Sequence, residues 1–163
     1  MAVKKITTWL WFDNQAEEAA NYYASVFRNA QMGEVVRAPA GGEPYTKEGQ
    51  ALTAEVEIEG QTFMCLNGGP HPDATPNDSV SFQVLCKDQA EVDEYWSKLS
   101  ADGGREVQCG WVKDRYGFSW QIVPEALPRL MFGPDREAAK RVTEAMMKMV
   151  KIDVVALEAA ANG

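Results

Sequence analysis

The chain has 163 residues, 45% of them hydrophobic and 25% charged. That is one domain's worth of ordinary globular composition, enough to bury a core without disulfide staples. Sixteen Lys and Arg against 24 Asp and Glu leave a formal net charge of −8, a field that repels polyphosphate backbones and excludes nucleic acid and anionic membranes as natural partners.

No apolar run approaches the roughly 20 residues that span a bilayer, so no membrane partner is expected. No apolar stretch with a small-residue cleavage site follows Met1, so no signal peptide is expected. Cys65, Cys86 and Cys109 are odd in number and form no CxxC, which suits reduced thiols and a cytoplasmic location.

Residues 6–12 are rich in β-branched and aromatic side chains and read as a strand. Asp13 or Asn14 is placed to cap the helix that follows, with Glu17 closing a capping box on Asn14. Ala16, Ala19, Ala20, Tyr23, Val26 and Phe27 recur at helical spacing and predict one buried stripe. Residues 38–49, with Gly41, Gly42, Pro39 and Pro44, read as a long loop between strands. Ala54, Val56 and Ile58 then alternate with Glu55, Glu57 and Glu59, a half-buried strand. Gly60 turns it into a second strand, residues 62–66, closed by Asn67-Gly68-Gly69-Pro70.

Residues 71–78 carry two prolines and read as a linker. Residues 80–86 predict a strand, and Val92, Tyr95, Trp96 and Leu99 a helix that runs out at Asp102-Gly103-Gly104. Strands are expected at 106–109, 111–113 and 118–123, with Pro124 as the stop. From Pro134 the pattern is helical again: Ala138, Val142, Ala145, Met146, Met149 and Val150 share a face, with Pro134 or Asp135 near the start. Asp153 is placed to cap a second short helix through Leu157, and residues 159–163 are expected to fray.

The two halves repeat. Trp9 to Glu17 followed by Tyr22-Tyr23 answers to Gln83 to Glu91 followed by Tyr95-Trp96, with offsets of 75 at the Asp, 74 at Gln-Ala-Glu and 73 at the aromatic pair. Each half therefore reads βαβββ. The expected organisation is a paired βαβββ domain over 1–132, with modules at about 3–70 and 78–128, and a helical tail over 133–163 that packs on the body or on a partner subunit.

Tandem units of this kind resemble the glyoxalase/bleomycin-resistance/extradiol-dioxygenase group, the vicinal oxygen chelate superfamily. Within it, the stretches WFDNQAEEAANYYASVF, LNGGPH, SVSFQV, CGWVKDRYGFSWQIVP and AKRVTEAMMKMVKID resemble the PhnB-like family, many of whose members are labelled 3-demethylubiquinone-9 3-methyltransferase. The resemblance runs from about Lys5 to Leu157. It implies an α+β fold in which tandem βαβββ modules curl into a cup-shaped open barrel, plus C-terminal helices. It also implies a homodimer.

The superfamily's chemistry rests on a divalent metal held by His and Glu, one pair from each module, acting as a Lewis acid on vicinal substrate oxygens. Counting back from Asp13 and Asp88 puts the first-strand positions at Ile6 and Ser81, and aligning Gly60 with Gly117 puts the last-strand positions at Met64 and Gln121. None of these is a strong ligand for a hard or borderline cation. The chain has one histidine, His71, so no metal and no other cofactor is expected. The methyltransferase label lacks support of its own: a doubly wound S-adenosylmethionine fold opens its first helix on a Gly-rich turn, and here Asp13-Asn14-Gln15 stands in that place.

The candidate lining of a ligand pocket is Thr8, Leu10, Glu55, Met64, Asn67, His71, Ser81, Gln83, Trp111 and Gln121. Gln83 and Gln121 with Ser81 offer neutral hydrogen-bonding groups, suited to an uncharged or weakly anionic ligand or to a self-satisfied network. Glu55 and Glu57 serve as a general base or as a solvated face. His71 borders a cavity mouth or shapes a turn. Asn67 binds a ligand or its own turn. Trp111 is the best stacking candidate. Trp9 and Trp11, opposite Ile6, Thr8 and Leu10, are expected to pack under the helices, as is Trp120. The three cysteines, placed in strands, read as buried apolar groups. The function these residues favour is a metal-independent protein that encloses a small organic molecule. The alternatives are a lyase, isomerase or dioxygenase with non-standard metal ligands and, third, the labelled methyltransferase.

Overall fold

The structure, a computed structural model, describes residues 5–41 and 46–163. Gly42 and Pro44 of the expected loop lie outside the described residues. The chain divides into two compact units, residues 1–75 and 76–163.

Unit 1 runs β1 (Thr8–Phe12), α1 (Ala16–Val26), β2 (Ala30–Arg37), β3 (Ala51–Ile58) and β4 (Gln61–Asn67). The sheet order is β1-β4-β3-β2, with β1 parallel to β4 and the other pairs antiparallel. β3 and β4 join through Glu59 and Gly60, at φ 47° and 76°, the paired left-handed turn that matches strand twist. Leu10, Phe12, Ala54, Val56, Phe63 and Cys65 are buried, and so are Ala16, Ala19, Ala20, Tyr23 and Val26 of α1, which packs on β3 and β4.

The expected burial of Trp9 and Trp11 under the helix is reversed. Leu10 is 3% exposed and Trp9 is 54% exposed. Alternation alone could not choose between two apolar sets on β1. Register does: Leu10 sits opposite Cys65, while Trp9 sits opposite Met64, which in turn faces Glu55. A carboxylate in that row is far costlier to bury than an indole is to expose, so Trp9 follows Glu55 away from the helix.

The capping box expected at Asn14 and Glu17 does not form. Gln15 is the N-cap without a side-chain bond. The cap comes from far along the chain: Asn67 Oδ1 accepts from the Ala16 N–H at 2.8 Å, and Asn67 Nδ2 donates to the Ala51 carbonyl at 2.8 Å. Glu17 pairs with Arg37 at 2.7 Å.

Unit 2 repeats the order with β5 (Ser81–Cys86), α2 (Gln89–Ser100), β6 (Arg105–Glu106), β7 (Trp111–Lys113) and β8 (Ser119–Pro124), arranged β5-β8-β7-β6. Val112, Trp120 and Ile122 are buried with Val92, Tyr95, Trp96 and Leu99 of α2. Here the helix is capped locally, Asp88 accepting from the Glu91 N–H at 2.9 Å while Glu91 accepts from the Lys87 N–H at 2.8 Å. β6 is shorter than expected. Cys109 is not in a strand but in a left-handed turn, at φ 59°, beside Gly110 at φ 79°.

Three helices follow: α3 (Ala126–Met131), α4 (Arg136–Met146) and α5 (Val154–Asn162). α3 falls in a stretch, between the stop at Pro124 and the helical pattern from Pro134, to which the sequence pattern assigns no element, and it contains Pro128. That proline lies in the first turn, where no intrahelical N–H donor is required. Asp135 and Asp153 cap α4 and α5 through their side chains. The tail packs within its own unit: Val123 of β8 forms one apolar cluster with Leu127, Val142, Ile152 and Leu157. Residues 159–162 do not fray, since the Arg141 guanidinium donates to the carbonyls of Ala160 and Ala161 and satisfies acceptors a helix end leaves open. Among the described residues no helix is long and apolar enough to cross a membrane.

Candidate functional site

Each sheet has one face under a helix and one face without it. On unit 1 the second face is set by three cross-strand rows. Trp11, Leu66 and Thr53 form the first, Trp9, Met64 and Glu55 the second, and Thr62, Glu57 and Gln31 the third. Of the candidate residues, Glu55 and Met64 therefore stand together. Thr8 and Leu10 do not join them, because they alternate onto the helix side with Phe12. Asn67 is 3% exposed, its amide committed to Ala16 and Ala51.

The segment Asn67-Gly68-Gly69-Pro70-His71 wraps the Trp11 indole. Trp11 Nε1 donates to the Gly69 carbonyl at 2.9 Å. A Cβ on Gly68 would stand 2.1 Å from the Trp11 ring, so only glycine lets the indole lie there. The exposed His71 ring meets Trp11 edge-on, with centroids 5.7 Å apart. His71 Nδ1 accepts from the Asp73 N–H at 3.2 Å, which places the proton of the neutral imidazole on Nε2.

β2 carries a bulge between Met32 and Val35. Inside it, a Cβ on Gly33 would meet the Glu55 side chain at 2.8 Å, so glycine there gives the Glu55 stem its room. Where Gln31 and Glu57 meet the β3–β4 turn, a surface cleft of about 440 Å³ opens, lined also by Arg28, Asn29, Glu59 and Gly60. Asn29 Nδ2 donates to Glu59 at 3.0 Å.

On unit 2, Gln83, Gln121 and Trp111 are direct cross-strand neighbours. Gln121 Nε2 donates to Ser81 Oγ at 2.8 Å. These four candidates thus share a face. At its edge Asp78 accepts from Ser119 Oγ at 2.6 Å and pairs with Lys113 at 2.8 Å. The Lys113 hydrogen bond, helped by Ser119, holds the Asp78 carboxyl below its ordinary range.

Register also corrects the match between modules. Met64 answers to Gln121, and their partners are Trp9 and Gln83. Ser81 therefore corresponds to Thr7 rather than to Ile6, and Asp88 to Asn14 rather than to Asp13. The donors so aligned are a hydroxyl, an indole and a thioether in unit 1, and a hydroxyl and two amides in unit 2. That set does not fit a hard divalent cation. Among the described residues no three His, Cys, Asp or Glu side chains gather at metal-binding distance. Two of the three thiols are shut away: burial pushes Cys65 up to about 12, and Cys86 is buried too, whereas Cys109, expected to be buried in a strand, is partly exposed in its turn.

Sequence reasoning missed Trp9 as an exposed group and Trp11 as a half-buried one on the same face, and Arg28 and Gln31 of the cleft. The signal that would have found the first pair was the alternation of Glu55 and Glu57, carried across the sheet by register.

Residues 4–123 match the family model described as 3-demethylubiquinone-9 3-methyltransferase. Among solved structures, a PhnB protein of Bacillus cereus carrying that methyltransferase name is 32% identical, with a TM-score of 0.66, covering 74% of this chain and 99% of its own. A Pseudomonas aeruginosa protein is 18% identical with a TM-score of 0.58, over 76% of this chain and 98% of its own. A genomically encoded fosfomycin resistance protein of Listeria monocytogenes, solved with Mn(II) and sulfate, is 13% identical with a TM-score of 0.50, over 76% of this chain and 91% of its own. The last two likenesses concern the fold alone. A comparison with curated proteins finds no match. The fold is α+β, two βαβββ modules followed by C-terminal helices, as the resemblance implies.

Proposed function

On the premise that the chain belongs to the 3-demethylubiquinone-9 3-methyltransferase family of PhnB-like proteins, we propose that it is a metal-independent small-molecule-binding protein, acting as a homodimer in the cytoplasm. One observation carries the reading: the Trp9 indole stands 54% exposed on a sheet face beside Met64 and Glu55. Exposed aromatic surface rimmed by polar groups is what a ligand platform requires. On unit 2, Trp111 beside Gln83 and Gln121 offers stacking and neutral hydrogen bonds to the same end.

Metal independence rests on the donor set. Thioether, hydroxyl and amide groups stand where the superfamily's metal enzymes hold His and Glu. The methyltransferase reading is disfavoured by topology. S-adenosylmethionine enzymes of the doubly wound class bind at the carboxyl edge of a mainly parallel sheet, whereas only one strand pair in each sheet here is parallel. The first N–H of α1 is also already taken by Asn67.

The test is fluorescence titration with N-phenyl-1-naphthylamine, a neutral aromatic probe. Saturable uptake that weakens at least tenfold in Trp9→Ala supports the platform; no uptake of probes of any charge would sink it. Elemental mass spectrometry after dialysis against a divalent-metal mixture checks the second half of the proposal. Near-stoichiometric retained metal would overturn it. Heat released on mixing with S-adenosylmethionine would revive the methyltransferase, and a concentration-independent monomer mass would remove the dimer.

A further inference from the structure

Resting on that reading, we infer that the unit 1 face selects hydrophobic organic cations, quaternary ammonium or protonated amine groups carried on an aromatic or aliphatic body. The face combines the two groups that together recognise such cations. Trp9 and Met64 supply a polarizable apolar floor. Glu55, next across the sheet, supplies formal negative charge. Adjacent strands lie about 4.8 Å apart, so Trp9 and Glu55 stand about 10 Å apart across two strand gaps, enough for a ring and the ammonium it bears. Glu57 lies two residues further along the same strand and the same face.

Both carboxylates are half-buried, and among the described residues neither side chain is joined to another by a hydrogen bond or ion pair. Partly covered carboxylates with no ion pair of their own still present their charge to a cation that reaches the face. Their neighbours have been fitted around them: Gly33 leaves room for the Glu55 side chain. Glu57 opens onto the cleft of about 440 Å³, within the size range of small-molecule sites. Arg28 also lines that cleft, against Glu57 and Glu59, leaving its formal charge negative. The chain's net −8 draws cations toward the face.

The experiment compares two xanthene dyes of similar shape and opposite charge, rhodamine 6G and fluorescein, by anisotropy titration of the intact protein. Rhodamine 6G is expected to bind at least tenfold tighter, and Glu55→Gln/Glu57→Gln to abolish that preference while N-phenyl-1-naphthylamine uptake persists. A charge-matched control, Glu48→Gln/Glu144→Gln, is expected to keep the preference. Equal binding of the dyes, or loss of preference in the control as large as in the site variant, overturns the inference. In both outcomes the neutral probe still reports on the platform itself. Failure of all three probes would instead remove the binding function.

Discussion

The two modules are copies in topology and opposites in how they solve the same local problem. In unit 2 the helix begins on its own cap, Asp88, with Glu91 folding back beside it. In unit 1 the equivalent position is Asn14, which does not cap. The job passes to Asn67 at the far end of β4, where unit 2 has Pro124. A proline carries no side-chain donor or acceptor, so module 2 must cap locally. Module 1 gains a buried amide that ties the start of α1, the start of β3 and the end of β4 together. The lesson is that duplicated units keep the hydrogen-bond requirement and exchange the residue that meets it. Their faces diverge likewise: an indole, thioether and carboxylate row in one, amides and a hydroxyl in the other. Unit 2 alone carries an added tail, seated on Val123 at the end of β8.

The largest effect is expected where unit 2 depends on that tail. Leu157→Ala empties a fully buried site in the tail cluster and should cost about 3 kcal/mol, read as a lowered denaturation midpoint with little change in the neutral-probe uptake assigned to unit 1. Next come the two caps. Asn67→Ala strips both the Ala16 N–H and the Ala51 carbonyl of their partner and should cost about 2 kcal/mol. The exposed cap variant Asp88→Ala should cost about 1 kcal/mol. Equal losses would erase the distinction between remote and local capping.

Gly68→Ala should then lever the Trp11 indole off the Gly69 carbonyl, at about 1.5 kcal/mol. A shift in tryptophan emission, absent when the same change is made in a Trp11→Phe background, would show it.

Acid gives the smallest effect. Hydrogen bonds from Lys113 to Asp78 and from Lys151 to Asp93 hold both carboxyls below the ordinary value of 3.8. A depressed folded value means stability that is complete above the unfolded value and lost as pH falls through the folded one. Unit 2 should therefore soften below about pH 4, and Lys151→Met should flatten that slope in melting temperature against pH. An unchanged slope would show the Asp93 pair to be inert, as many surface pairs are.

The βαβββ repeat was legible because hydrophobic period, turn glycines and the repeated Gln-Ala-Glu all agree. The Asp153 cap was legible, and Asp135 could be placed near a helix start with Pro134 as the alternative, because such caps act within one turn of helix. What escaped was everything that depends on register. Alternation divides Trp9 and Trp11 from Leu10 and Phe12 but names neither as buried, since both pairs are apolar. The Asn67 cap spans 51 residues and has no local signature. α3, six residues long, is too short to show a helical period, and the firm end of α5 depends on a guanidinium one helix away. On unit 2, Ser81, Gln83 and Gln121 could be grouped beforehand because polar residues alternating with Phe82, Val84 and Ile122 leave no ambiguity of face.

Cys65 and Cys86 are both fully buried, one in each unit. A thiol shut away from water and held at a pKa of about 12, as Cys65 is, reacts with an alkylating agent only when its surroundings open. With the partly exposed Cys109 replaced by serine, each module contains its own clock. Brief pulses of iodoacetamide, read by peptide mass, would time the opening of the two halves separately in a single native sample.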